Sequence, residues 1–189
     1  MNIAVEKPEI ITISYRQERG DKDYGSCLWA RFNFDLKHYS LTIESDCGNY
    51  CYGWTPTPEH ESFLKLCARF HWDYLLDKIS SRSVIASNTT FQKVKELAKQ
   101  IDEDKFSKID DVTMEELESN CHTCREESEM FDAIWHFMDE NGLHECDSYD
   151  IACCIEKDYP RAARTIAQIY HDHIQPVVKK LAKEGSNYE

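Results

Sequence analysis

Glycine and proline are scarce in this sequence, six and five residues in 189. Loops that cradle phosphate on bare backbone are therefore not expected. No GxGxxG, P-loop, GxSxG or HExxH pattern occurs, which removes the common dinucleotide, nucleotide-hydrolysing, serine-hydrolase and zinc-protease signatures. No stretch approaches the roughly 18 apolar residues of a membrane helix. The start, MNIAVEKPEIITISYRQERG, has acids among its first residues and no small-residue cleavage pattern, so neither membrane insertion nor secretion is expected. Internal repeats and low-complexity tracts are also missing. Positive charge is short as well: 22 Lys and Arg face 35 Asp and Glu, a net charge of −13.

What remains is enough for a packed core. Hydrophobic residues make up 41% and aromatics 12%, which excludes global disorder. The nine cysteines are an odd count, and Cys27, Cys51 and Cys67 fall inside strand or helix patterns. They are expected to be reduced thiols serving as small hydrophobes.

Apolar residues alternate at period two in four runs: Ile10–Tyr15; Cys27–Phe34, with Leu28, Ala30, Phe32 and Phe34 on one face; Tyr39–Ile43; and Tyr50–Trp54. Arg19-Gly20-Asp21, Asp35–His38 and Asp46-Cys47-Gly48-Asn49 separate them as turns, so an antiparallel meander is predicted. Thr55-Pro56-Thr57-Pro58 ends the strands. A helical stripe follows through Phe63, Leu64, Leu66, Cys67 and Phe70, and continues through Trp72, Leu75, Leu76 and Ile79. Thr89 or Thr90 is expected to cap a helix running to about Ile101. Thr113-Met114-Glu115-Glu116 reads as a capping box opening helix that reaches Glu140, with breaks, before an Asn141-Gly142 stop. A short helix near Tyr149–Glu156 and a last helix from Pro160, kinked or ended by Pro176, complete the chain. The fold class is α+β: an N-terminal antiparallel meander of about four strands with packing helices, then an all-helical C-terminal half. The expected domains are residues 1–101 and 113–189, joined by a charged linker over 102–112.

Several side-chain groups offer chemistry. Cys121-His122-Thr123-Cys124 is a CxxC, which supplies two zinc ligands at a suitable separation. His144, Cys146, Cys153 and Cys154 follow without forming a second matched pair, so incidental cysteines on a helix are the plainer reading and no cofactor is expected. Asp132, His136 and Asp139 share a helical face, and His171 and His173 flank Asp172. Such groups can hold a divalent metal for nuclease or hydrolase chemistry, or form a solvated face. Tyr50, Tyr52 and Trp54, with Tyr39, match a base-stacking platform. Their segment lacks clustered Lys and Arg, so sheet core is the better reading and direct nucleic-acid binding is not expected.

Charge is the most informative feature. Residues 1–58 carry 6 bases and 8 acids, and residues 59–100 carry 7 and 5. Residues 101–160 carry 4 bases and 19 acids, and residues 161–189 carry 5 and 3. Glu115, Glu116, Glu118, Glu126, Glu127, Glu129, Asp132, Asp139 and Glu140 crowd one helical segment in which Arg125 is the one base. Like charges this dense work against stability. Either they form a solvated face, or they form a surface that meets a basic groove as a phosphate backbone does.

DYGSCLWARFNFDL, LTIESDCGNYCYGWTPTP, ESFLKLCARF, YLLDKISSRS and DYPRAARTIAQIYHDHIQP together resemble small proteins of phages and mobile elements of Firmicutes. That group is associated with type II-A anti-CRISPR proteins, which inhibit Cas9. The resemblance implies a non-enzymatic inhibitor, cytoplasmic in a bacterial host, that occupies the nucleic-acid-binding surface of a basic protein such as Cas9. A homodimer is compatible with it. A metal-dependent hydrolase and a zinc-stapled interaction module, with Cys121 and Cys124 as ligands, are the alternatives.

Overall fold

A computed structural model describes residues 9–56 and 62–185. The readings that involve residues 1–8 and Thr57-Pro58 lie outside the described residues. The chain divides into two compact units. One joins Met1–Ser81 to Tyr159–Glu189, and the other is Arg82–Asp158.

In the first unit, β1 (Ile10–Arg16), β2 (Trp29–Asp35), β3 (Ser40–Ser45) and β4 (Tyr50–Gly53) form an antiparallel sheet in chain order. The register aligns Ile13 with Phe32, Phe32 with Ile43, and Ile43 with Tyr50. Alternation therefore gathers Ala30, Phe32, Phe34, Leu41 and Ile43 on one buried face. The opposite face is polar, with Thr12 donating to Asn33 at 2.8 Å and Arg31 paired to Glu44 at 3.3 Å. Leu28, expected on the inner face, precedes the strand and is exposed.

The stripe from Phe63 to Ile79 is not one helix. It breaks into α1 (Phe63–Cys67) and α2 (Trp72–Ile79). The amides of Arg69 and Phe70 bond to Leu66 and Cys67 carbonyls in a tighter turn, both at 3.1 Å. The break lets Phe70 stack on Trp54, ring centroids 4.9 Å apart. It also frees the Phe70 carbonyl to accept from the Gln175 amide. Tyr170 is fully buried against this layer and donates to the Cys67 carbonyl at 2.8 Å. Pro176 does not end the last helix. α8 (Arg161–Ile169) passes through a wide π turn, Tyr170–Ile174, into α9 (Gln175–Gly185). The widened turn accommodates a residue that has no N–H and a bulky ring.

The second unit holds α3 (Ser87–Ile101), α4 (Glu103–Phe106), α5 (Asp111–Thr123), α6 (Glu127–Glu140) and α7 (Ser148–Cys154). Val94, Ala98, Leu117, Cys121, Met130, Ile134, Met138, Leu143 and Ile151 form its core. Its two ends close on themselves through β5 (Val84–Ile85) and β6 (Lys157–Asp158), so the C-terminal half carries one short strand besides its helices. Thr90 does not cap α3, whose N-cap is Ala86. It lies inside the first turn, buried, and its hydroxyl accepts from the Glu156 amide at 3.0 Å. Residues 102–112, expected as a linker, hold α4 and the start of α5 within this unit. Asp102 caps α4 by accepting from the Lys105 amide at 2.9 Å. The fold is α+β, a four-stranded antiparallel sheet followed by helices. Among the described residues no helix is long and apolar enough to cross a membrane.

Candidate functional site

Charge divides with the fold. Arg82–Asp158 carries 20 acids against 8 bases, while the rest of the chain carries 15 against 14. The excess negative charge therefore sits almost entirely on the inserted helical unit. All nine acids singled out above are exposed, but they do different things.

On α6 the buried residues Met130, Ile134, Phe137 and Met138 define one stripe. Helical geometry puts Glu129, Asp132, Asp139 and Glu140 on the opposite face, with His136 among them. Glu129 also closes a capping box, accepting from the Arg125 and Glu126 amides at 3.1 and 3.4 Å while Glu126 caps in return. The Arg125 amide first, then that of Glu126, hold the Glu129 carboxyl below its ordinary range. Glu127 pairs with Lys157, and Asp139 with His144 at 3.3 Å. Glu115, Glu116, Glu118, Asp132 and Glu140 have no ion-pair partner among the described residues.

The start of α5 differs from the Thr113 capping box expected of the sequence. Asp110 is the N-cap and accepts from the Thr113 amide at 2.8 Å, which lowers its pKa. Glu115 and Glu118, three residues apart on α5, lie on one side of it. There they line a groove of about 520 Å³ with Phe91, Phe106, Ile109 and Met114, and Lys95 lies in it with its ammonium 5.2 Å from the Phe91 ring centroid.

The two cysteines of the CxxC sit in different surroundings. Cys121 is buried in the unit's core and Cys124 is the half-buried C-cap of α5. Burial first, then Cys124 and Glu118, push the Cys121 thiol up to about 11. Among the described residues neither cysteine, nor Asp132, His136 or Asp139, belongs to a group of three converging metal-ligand atoms. His171 bonds Asp172 at 2.8 Å, and His173 lies against the Tyr15 ring, centroids 5.1 Å apart.

One such group does exist, and sequence spacing hid it. Cys27, Asp46 and Cys47 bring their ligand atoms within 4.8 Å of one another. The Cys27 thiol donates to Asp46 Oδ1 at 3.2 Å, and the Cys47 thiol to the Ser26 carbonyl at 3.0 Å. Burial, followed by hydrogen bonds to Asp46 and Cys47, pushes the Cys27 thiol far above its usual range. For Asp46, burial acts to raise the pKa. The Leu28 amide, the Cys27 thiol and the Trp29 amide outweigh it, and the net shift is downward.

The aromatic residues of β4, and Trp54 just after it, are half-buried and packed on their neighbours. Trp54 contacts Tyr52, Phe63 and Phe70, with centroids 4.8, 5.5 and 4.9 Å away, and its indole N–H donates to the Tyr74 hydroxyl at 2.8 Å. Tyr50 donates to the Cys47 carbonyl at 2.9 Å, and Tyr39 lies against Phe63.

A family model described as a phage family matches residues 1–180, and the chain belongs to that family. Neither the curated proteins nor the solved structures give a match. The family description reaches as far as phage origin; Cas9 inhibition and nuclease activity are not part of it.

Proposed function

We propose that this phage-family protein is a non-enzymatic inhibitor that docks its acidic helical unit onto the nucleic-acid-binding surface of a basic protein. The observation that carries the reading is the separation of charge. Twenty acids against 8 bases lie on Arg82–Asp158, whereas the sheet-bearing unit is nearly neutral. Stability gives no reason for this. Like charges repel across a small unit, and five of the nine acids above neither cap a helix nor pair with a base. A surface that imitates a phosphate backbone gives one, since opposite potentials steer association and fix its register.

The specific partner is Cas9, on the resemblance described above. Its guide and target are held in a positively charged channel that recognises backbone rather than sequence. The test is DNA cleavage by guide-loaded Cas9 in the presence of the protein. Wild type is expected to inhibit, and inhibition is expected to weaken as salt rises, because exposed charges are screened over roughly 8 Å at physiological ionic strength. Absence of inhibition at any salt concentration sinks the Cas9 assignment. Inhibition that is unaffected by reversing Glu115, Glu118, Asp132 and Glu140 to Lys sinks the acidic docking surface.

A further inference from the structure

The β2–β3 register pairs Ala30 with Ser45. The residues just before β2 and just after β3 are therefore forced side by side at one corner of the sheet. Cys27 comes from the first segment, and Asp46 and Cys47 from the second. No local spacing motif links them, and the strand pairing alone makes the group.

Its ligand atoms are close enough together to converge on one thiophilic divalent cation. Zinc bonded to sulfur at about 2.3 Å and to oxygen at about 2.0–2.2 Å holds tetrahedral ligands roughly 3.5–3.8 Å apart. The three candidate atoms lie within 4.8 Å of one another, with Cys27 Sγ and Asp46 Oδ1 at 3.2 Å. The carboxylate is already oriented, because Asp46 Oδ2 accepts from the Leu28 amide at 2.9 Å. Oδ1 faces the Cys27 sulfur and also accepts from the Trp29 amide at 3.4 Å, which makes the carboxylate a supported ligand of the kind metal sites use. The turn that presents Cys47 is also fixed. Gly48 has φ of +110°, and a Cβ there would meet the Tyr50 hydroxyl at 3.1 Å. That hydroxyl in turn holds the Cys47 carbonyl at 2.9 Å.

Without a metal the buried Cys27 thiol stays protonated, so its thiolate forms only together with a bound cation. Two thiolates and a carboxylate at one point would place three negative charges together, one of them on a sulfur that is 1% exposed. A divalent ion neutralises two of them, and both thiols lose their protons as it binds. Two sulfurs select zinc over magnesium or calcium.

We propose that Cys27, Asp46 and Cys47 form a zinc site, with water completing the tetrahedron, that staples the β1–β2 connection to the β3–β4 turn. The staple reinforces a segment already held by Asp46 and by Gln17. The Gln17 side chain donates to the Asp23 carbonyl at 2.9 Å and the Ser26 hydroxyl at 3.1 Å, and accepts from the Gly25 amide at 2.9 Å. On this segment Tyr24, Leu28 and Trp29 stand exposed, so the metal holds an apolar surface in place. The site is independent of the acidic unit and of its partner.

The test titrates the reduced full-length chain with Co²⁺ alone and then displaces it with Zn²⁺. One equivalent is expected to produce a thiolate-to-cobalt charge-transfer band that zinc removes. Changes around metal ligands alone cost 10–100-fold in affinity. Cys27→Ser and Cys47→Ser are therefore each expected to weaken binding by at least about 100-fold and abolish the band. Cys47 is half-buried, so its variant decides the matter should Cys27→Ser fail to fold, with circular dichroism checking each. The double variant Cys121→Ser, Cys124→Ser is expected to keep the band. The proposal is overturned by a wild type that gives no band, by a band that survives Cys47→Ser, or by one that vanishes with the Cys121 and Cys124 changes.

Discussion

The two units solve the same packing problem with different surfaces. The sheet-bearing unit buries Phe32, Phe34, Phe63, Phe70 and Tyr170 in an aromatic core and carries nearly balanced charge. The helical unit buries mostly Leu, Ile, Met and Cys and leaves its acids in solvent. Both cores are complete, and among the described residues no buried side-chain polar atom lacks a hydrogen-bond partner. Folding therefore accounts for the interior of each unit. It accounts for only some of the exterior of the second: Asp102, Asp110, Glu129 and Asp147 cap helices, and Glu156 and Glu127 pair with Lys93 and Lys157. Glu115, Glu116, Glu118, Asp132 and Glu140 serve no such role, and the proposed docking surface rests on that remainder.

The comparison breaks most visibly in the cores. Phe32→Ala removes a fully buried ring from the sheet face and is expected to cost about 3–5 kcal/mol, and Ile134→Ala in α6 about 2–5 kcal/mol, read by denaturant unfolding. Values under about 1 kcal/mol at either position would mean that the core described there is not formed.

Charge reversal at Glu115, Glu118, Asp132 and Glu140 sharpens the contrast. Partner binding should fall at least tenfold, while each substitution shifts stability by no more than about 0.5 kcal/mol. Glu126 and Glu129, equally acidic and exposed, are poor choices for this test, because reversing them dismantles the capping box of α6. A cap is a folding role, and Asp147→Ala should show its size. Asp147 accepts from the Tyr149 and Asp150 amides at 2.8 and 2.9 Å, so its loss should cost about 0.5–2 kcal/mol in thermal or denaturant unfolding and leave binding intact.

Acid should act on these caps too. Asp102, Asp110 and Glu129 have pKa values lowered, each chiefly by a backbone amide. A carboxyl with a lowered folded pKa contributes stability that is fully present above its unfolded value, about 3.9–4.3. That contribution is lost as pH falls through the folded one. Unfolding followed from pH 7 downward should show their contribution unchanged to about pH 5 and declining below about pH 4. The smallest effect belongs to the exposed Arg31–Glu44 pair on the sheet. Arg31→Ala should change stability by no more than about 1 kcal/mol.

How much of this was legible in the sequence follows the range of the interactions. Alternation is local, so the runs at Ile10–Tyr15, Cys27–Phe34, Tyr39–Ile43 and Tyr50–Trp54 located the four strands, the second starting two residues ahead of β2. Asn141-Gly142 located a helix end, where Gly142 adopts φ of +69°. Competition between neighbours was harder to read. Asp110 displaces Thr113 as a cap, and the stripe from Phe63 to Ile79 hides a break whose reason is Trp54 and Gln175, both distant in sequence. Long-range closure was invisible. The ladder that closes the second unit has two residues on each strand, too few for any periodicity, so the insertion of Arg82–Asp158 left no trace. Cys27 and Cys47 meet only through strand register, whereas the conspicuous Cys121 and Cys124 are a core residue and a helix cap. The acidic band was legible because composition needs no fold. Which of its members are committed to caps and ion pairs required one.

The most direct test of the central claim is displacement of a labelled guide or target strand from Cas9, followed by anisotropy. Three forms of the full-length protein are compared: wild type, the Glu115/Glu118/Asp132/Glu140→Lys variant, and a control with Glu18, Glu44, Asp73 and Asp77 of the sheet-bearing unit changed to Lys. The account predicts displacement by wild type and by the control, weakened by salt, and at least tenfold weaker displacement by the helical-unit variant. Equal displacement by both variants, or a larger loss from the sheet-bearing unit, would contradict it.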